Sequence, residues 1–183
     1  MRLLVLTALL SLGTQAFGAS PFKRSLTQKN NSYLQDGVFI GGTAGNGASL
    51  LGVRRSFSAK AAIERVIVDL GDGEGKPAGK RISYFQASVD AENNRVVLDL
   101  AQLKLSLVSE QKLKEIFKKS PFVASVELTL DPEDKAATMV LNLRRPMRLE
   151  VFELLNSKKP GRVVMDLSPA RSTSIKKTPL SHQ

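Results

Sequence analysis

Arginine and aspartate recur in this chain at a fixed spacing, inside a phrase written three times: Arg65-Val66-Ile67-Val68-Asp69-Leu70, Arg95-Val96-Val97-Leu98-Asp99-Leu100 and Arg162-Val163-Val164-Met165-Asp166-Leu167. A fourth copy, Thr138-Met139-Val140-Leu141-Asn142-Leu143, carries Asn in place of Asp. Two kinds of chemistry could use such residues. Paired carboxylates hydrolyse glycosidic bonds when their environments push their pKa values apart, which makes Asp69, Asp99 and Asp166 the candidates. Guanidinium forks grip carboxylates and phosphates at two points. On that ground Arg65, Arg95 and Arg162, with Arg144, Arg145 and Arg148, are the candidate ligand-binding residues, lining a sheet face that meets an anionic polymer.

Recurrence at one strand position is how structural carboxylates behave, so no enzyme is expected. The single histidine, His182, is the penultimate residue, and the chain has no cysteine. A Ser-His-Asp arrangement therefore lacks a base, and zinc lacks a His/Cys ligand set. Gly41 to Gly47 is glycine-rich, but neither a Lys-Ser/Thr pair nor a helical pattern follows it, so it reads as a turn rather than a phosphate cradle. Asp72 and Glu74 lack the further oxygen ligands of a calcium loop and read as a solvated turn. No catalytic, metal-binding or cofactor-binding residue is expected, and no cofactor.

What positions the charged residues is a set of strands. In each copy the second, fourth and sixth residues share one apolar face, while Arg, a β-branched residue and Asp share the other. Arg and Asp four residues apart stand about 13 Å from each other along one strand, too far to pair there. Pairing across adjacent strands is the alternative to ligand binding for these side chains, as weak exposed salt bridges. Arg81 to Val89 alternates, and Asp90–Asn94 turns it directly into the Arg95 copy, a hairpin. Leu50 to Phe57, Phe122 to Leu130 and Met147 to Leu155 read as further strands. A single convincing helix spans Ser109 to Lys119, capped by Ser109, acidic at Glu110 and basic at Lys118 and Lys119, with an apolar stripe of Leu113, Ile116 and Phe117. Seven or eight short strands joined by hairpins, with one short inserted helix, predict a mainly β fold, an antiparallel two-sheet β-sandwich.

The ends differ from the middle. Leu3 to Leu12 is an apolar run after Met1-Arg2, followed by Ala16-Phe17-Gly18, so residues 1–18 read as a signal peptide cut after Gly18, with cuts after Ala16 or Ala19 as the alternatives. Residues 19–48 read as a flexible N-terminal segment, 49–169 as the sandwich, and 170–183 as a disordered basic tail. No other run is long enough for a membrane helix, so none is expected in the mature chain. An exported chain of 183 residues without cysteine suits a periplasmic or cell-wall domain that relies on its core. Its net charge of +10 favours an anionic partner. Nucleic acid is not that partner, since the chain is exported and offers two Tyr and no Trp to stack on bases.

The C-terminal half, Met139 to Leu154 followed by Pro160-Gly161-Arg162-Val163-Val164-Met165-Asp166-Leu167, resembles the AMIN domain. The pattern is a strand ending in a proline turn, a strand ending V-F-x-L, and P-x-R-[LVI]-V-x-D-L. Arg162, Asp166 and the Val151-Phe152 pair match it. The resemblance implies a non-catalytic β-sandwich of the bacterial cell envelope that binds peptidoglycan or another anionic envelope polymer and localises its protein to the wall. No catalytic or secretin domain accompanies it in this chain. The alternative is a periplasmic scaffold that binds an envelope protein complex, by strand addition to an exposed sheet edge.

Overall fold

The computed structural model describes residues 33–170, apart from residues 46 and 79. Residues 1–18, read above as a signal peptide, and residues 171–183 of the expected tail, His182 among them, lie outside the described residues. Within them the chain forms two β-sheets packed face to face, with one helix. The first sheet runs in the order β1 (Tyr33–Leu34), β10 (Met147–Leu154), β11 (Gly161–Pro169), β4 (Ile63–Asp72), β3 (Ala48–Ser58), β7 (Leu103–Ser106). The second runs β2 (Gly37–Gly41), β5 (Phe85–Asp90), β6 (Arg95–Leu100), β9 (Ala136–Leu143), β8 (Val123–Asp131). Helix α1 (Glu110–Phe117) joins β7 to β8. No helix among the described residues is long and apolar enough to cross a membrane.

The repeated phrase becomes β4, β6 and β11, and its degenerate copy becomes β9. Their apolar faces form the core as the alternation requires: Val66, Val68 and Leu70, Val96, Leu98 and Leu100, and Val163, Met165 and Leu167 are all buried between the sheets. A one-residue slip would turn each of these sets outward, which fixes the register. The copies pair with one another, β4 with β11 and β6 with β9, both antiparallel. In the first pair each Arg lies opposite the other copy's Asp, Asp166 against Arg65 and Arg162 against Asp69.

The structure departs from the sequence reading in three places. Two strands form inside the span expected to be a flexible segment, so the sheets begin at Tyr33 rather than near residue 49. The described residues hold eleven strands, because β1, β2 and β7 are short pieces with little pattern of their own. The pairing of β3 with β7 is parallel, the exception in otherwise antiparallel sheets. On β8, Val126 and Leu128 are buried, while Leu130 on the same face is exposed near the strand's end.

Helix α1 forms where its signals lie. The Ser109 hydroxyl accepts the Lys112 N–H at 3.2 Å, and Leu113 and Phe117 are buried against the sandwich. What pins its far end is Arg55, whose Nε donates to the Ile116 carbonyl at 3.0 Å and whose Nη2 donates to the Lys119 carbonyl at 3.4 Å. Nη1 of the same guanidinium meets Glu64 at 2.9 Å. Glu64 is fully enclosed and also accepts the Ser120 hydroxyl at 2.8 Å and the Phe122 N–H at 3.3 Å. A buried ion pair with its remaining acceptors satisfied thus joins the sheet, the helix end and the loop into β8.

Strand β2 is held by close backbone approach. Gly42 has φ +72°, and a Cβ there would lie 2.2 Å from the Ser83 carbonyl oxygen. Its N–H donates to Glu153 of β10 at 2.8 Å, tying the edges of the two sheets together. Gly42→Ala is expected to destabilise the fold by about 1–3 kcal/mol, through a strained backbone and a lost approach to Ser83. The midpoint of urea unfolding would measure it.

Candidate functional site

The charge of the chain is unevenly placed. All 17 Asp and Glu, but only 20 of the 27 Lys and Arg, fall within residues 33–170, which therefore carry +3 of the total +10. The remaining +7 belongs to residues 1–32 and 171–183, which contain no acidic residue. The sandwich itself is close to neutral, so a binding role for its arginines depends on local grouping and not on a general field.

Such a grouping exists at one end. Three connections converge there: the β3–β4 hairpin at residues 59–62, the loop from α1 into β8, and the β9–β10 turn at residues 144–146. The Arg144 N–H donates to the Phe122 carbonyl at 2.8 Å, and its guanidinium Nε donates to the Ser120 carbonyl at 3.4 Å. The Arg145 guanidinium lies 5.2 Å from the centre of the Phe122 ring, a cation–π arrangement. Phe122 meets Phe57 edge to face, with ring centres 5.4 Å apart. Lys60 stands in the hairpin, and Lys118 and Lys119 follow the helix. All five cations, Lys60, Lys118, Lys119, Arg144 and Arg145, are exposed. Glu64, which reaches into these loops, is enclosed and already neutralised by Arg55, while Asp36 and Asp90 line a cavity on the other side of the β9–β10 turn with Pro146. Phe57 is 44% exposed among these charges. Beside it a groove of about 280 Å³ is lined by Ser56, Phe57, Ser58, Ala61, Ile63 and Arg65. An exposed aromatic side chain with cations on the neighbouring loops can pack against the C–H face of a sugar or a peptide plane while the cations pair with carboxylates.

The six predicted arginines divide between ligand-facing and strand-tying positions. Arg144 and Arg145 belong to the basic end. Arg65 borders its groove, but its fork is engaged: Nε and Nη2 donate to the two oxygens of the enclosed Asp166 at 2.6 and 2.7 Å, and its guanidinium carbon lies 5.4 Å from the Phe152 ring centre. Asp166 as a hydrogen-bonding partner holds the Arg65 pKa above its ordinary value. Arg148 donates to the Ser168 hydroxyl at 2.9 Å and covers the Tyr33 ring at 4.3 Å. Arg95 stands on the outer face of the other sheet and bridges to Asp90 of β5 at 2.8 Å. Arg162 lies at the opposite end of β11, beside Asp69, whose carboxylate is gripped by Arg54 at 2.9 and 2.8 Å; the Arg162 Nε is enclosed and makes no hydrogen bond. Cross-strand pairing is thus realised by Arg65 and Arg95, and the six do not form one face.

The recurring carboxylates are likewise separated. Asp69 and Asp166 lie on the outer face of one sheet, each held by an arginine, while Asp99 lies on the other sheet and accepts the Thr138 hydroxyl at 2.6 Å. In the aspartate slot of the fourth copy, Asn142 donates to Ser125 and Glu127 at 2.9 Å each. No cluster of three His, Cys, Asp or Glu residues that could hold a metal occurs among the described residues.

Two exposed turns contribute to the acid response. The Asp72 carboxylate is held below the usual range, chiefly by the Lys76 N–H, with that of Glu74 assisting. Asp90 is held low by the Asn93 side-chain amide first, then by the Asn93 N–H and Arg95. A carboxyl with a depressed folded pKa stabilises the fold above its unfolded value, about 3.9, and loses that contribution as pH falls through the folded value. Asp90→Asn is therefore expected to flatten the acid limb of stability below about pH 4. Urea midpoints collected down that limb would check it.

Of the residues at the basic end, Phe57, Lys60, Lys118 and Lys119 were not among the predicted site residues. The lysines after the helix read as complements of its dipole, and Phe57 read as the end of a strand. No protein-family model matches the sequence, and no curated protein is significantly similar to it.

Proposed function

We propose that this chain is a non-catalytic module of the bacterial cell envelope, exported to the periplasm or wall, which docks its basic end on peptidoglycan. One observation carries the reading: five exposed cations stand on the three connections that meet where the half-exposed Phe57 packs on Phe122, and the carboxylate enclosed among them, Glu64, is neutralised by Arg55. Peptidoglycan offers the apolar C–H faces of its sugar rings and peptide-stem carboxylates, which match an aromatic platform and an arginine pair. The export signal in residues 1–18 and the AMIN-like run through β9, β10 and β11 support the same compartment and polymer. The basic residues outside the sandwich add a non-specific attraction that salt screens.

Sedimentation with purified sacculi tests this. The wild-type chain is expected to pellet at low salt, and Arg144→Glu with Arg145→Glu to weaken pelleting about tenfold, a loss of about 1.4 kcal/mol. Arg95→Glu and Arg162→Glu should pellet as the wild type does. Equal pelleting of all four proteins would remove the basic end from the mechanism, and recovery of the wild type in the supernatant would sink wall binding itself.

A further inference from the structure

The cavity on the other side of the β9–β10 turn has a volume of about 240 Å³. Val89, Leu143 and Met147 supply apolar walls, and Asp36, Asp90 and Asn94 supply oxygens. It lies directly behind the basic end. The Leu143 N–H donates to the Asn94 carbonyl at 2.7 Å, on the cavity side. The next N–H, of Arg144, donates to the Phe122 carbonyl at 2.8 Å, on the basic side. Pro146 follows Arg145, lines the cavity, and accepts the Ala170 N–H at 3.2 Å.

The polar groups of this cavity call for a donor. Asp36 is exposed and makes no hydrogen bond or ion pair among the described residues. Asp90 is held by Asn93 and Arg95. Asn94 stands at φ +50°, and its Oδ1 is enclosed and accepts no hydrogen bond. Leaving such an oxygen without a donor is costly, and no Lys or Arg lines the cavity to supply one. An ammonium on a short alkyl chain fits these terms. Its N–H groups meet the Asp36 carboxylate and the Asn94 oxygen, and its methylenes meet the apolar walls.

We infer that this cavity takes the free side-chain ammonium of an uncross-linked peptide stem, while Arg144 and Arg145 take the stem's carboxylates. The inference rests on the wall binding proposed above and names the part of the wall that is recognised. A stem whose diamino acid is not cross-linked carries an ammonium and carboxylates a few residues apart. Three extended residues span about 10 Å, a reach suited to features on opposite sides of one turn. Cross-linking converts the amine to an amide, which brings no charge to Asp36. The two sides of the turn together therefore favour uncross-linked stems over cross-linked ones.

Pelleting of the full chain on sacculi whose stem amines have been N-acetylated, compared with untreated sacculi, tests this. Acetylation makes the wall more negative, so a chain drawn only by its net positive charge would pellet better on it. The inferred contact predicts the reverse, with pelleting weakened about tenfold. Asp36→Asn, at an exposed position that keeps the fold, should lose the preference for untreated sacculi. Glu133→Gln removes an exposed carboxylate from the β8–β9 turn, away from the cavity, and should keep that preference. Wild-type pelleting that is equal or stronger on acetylated sacculi would overturn the inference and leave wall binding standing. An Asp36→Asn chain that keeps the preference, or a Glu133→Gln chain that loses it, would overturn it in the same way. Recovery of the wild type in the supernatant with both preparations would remove wall binding and the inference together.

Discussion

Arg55→Met is expected to cost the fold about 3–5 kcal/mol, the penalty for stranding a buried charge. Glu64 has no access to solvent, so without its guanidinium partner the carboxylate keeps only the Ser120 hydroxyl and the Phe122 N–H. The helix end loses its ties to the Ile116 and Lys119 carbonyls in the same step. Glu64→Leu alone is expected to be damaging as well, because it leaves the Arg55 guanidinium facing an apolar side chain. The double variant Arg55→Met, Glu64→Leu should recover much of the loss, since two apolar groups can fill the space of a buried ion pair without stranding either charge. A positive coupling energy in urea unfolding, with the double variant more stable than Arg55→Met, is the expected result. Simple additivity would mean that the pair acts only as two separate packing residues. The variant also bears on the basic end, because Arg55 fixes the loop that carries Lys118, Lys119 and Phe122. Loss of wall pelleting in a folded Arg55→Met chain would show that this loop has to be held in place.

Arg55 also marks where local sequence stops being informative. Arg54 and Arg55 are adjacent, and alternation requires that they point to opposite faces of β3. Arg54 turns outward to Asp69, as a charged residue on a strand should. Arg55 turns inward because a carboxylate nine positions later and two helix carbonyls some sixty positions later wait for it. Nothing within the strand announces those partners. The repeated phrase was legible for the opposite reason: its period of two is complete within six residues, and each apolar face has no alternative but the core. Its charged half was legible only as a choice between pairing and binding. The register decides the choice for Arg65, which lies opposite Asp166, and leaves Arg162 beside an Asp69 already taken by Arg54. The basic end could not be read from any one segment, because the topology assembles it from a hairpin, a helix end and a turn more than eighty residues apart. Only Arg144 and Arg145 announced themselves, as neighbours before a proline.

The same reasoning explains β2, whose five residues look like an apolar island in a linker and become a strand only against β5. Phe85 is the residue that holds them there. It is fully buried, stacks at 6.0 Å between ring centres on Phe39 of β2, and fills the space that a side chain at Gly41 would need, 2.4 Å from the ideal Cβ. Phe85→Ala is therefore expected to cost about 3–5 kcal/mol, from lost apolar burial and a cavity that the surrounding backbone fills only in part. The loss should be uneven. Amide exchange in residues 37–41 should accelerate more than in β6 or β11, because β2 has no strand on its other side while those two are paired on both. Gly41→Ala supplies the complementary test. In the wild-type background its methyl collides with the Phe85 ring, whereas in Phe85→Ala that collision is gone and the added methyl is far better tolerated. A Gly41→Ala penalty that is large in the first background and small in the second assigns the close approach to Phe85. Equal penalties would assign it to Glu153, whose Oε1 lies 2.7 Å from the same position and holds the neighbouring Gly42 N–H.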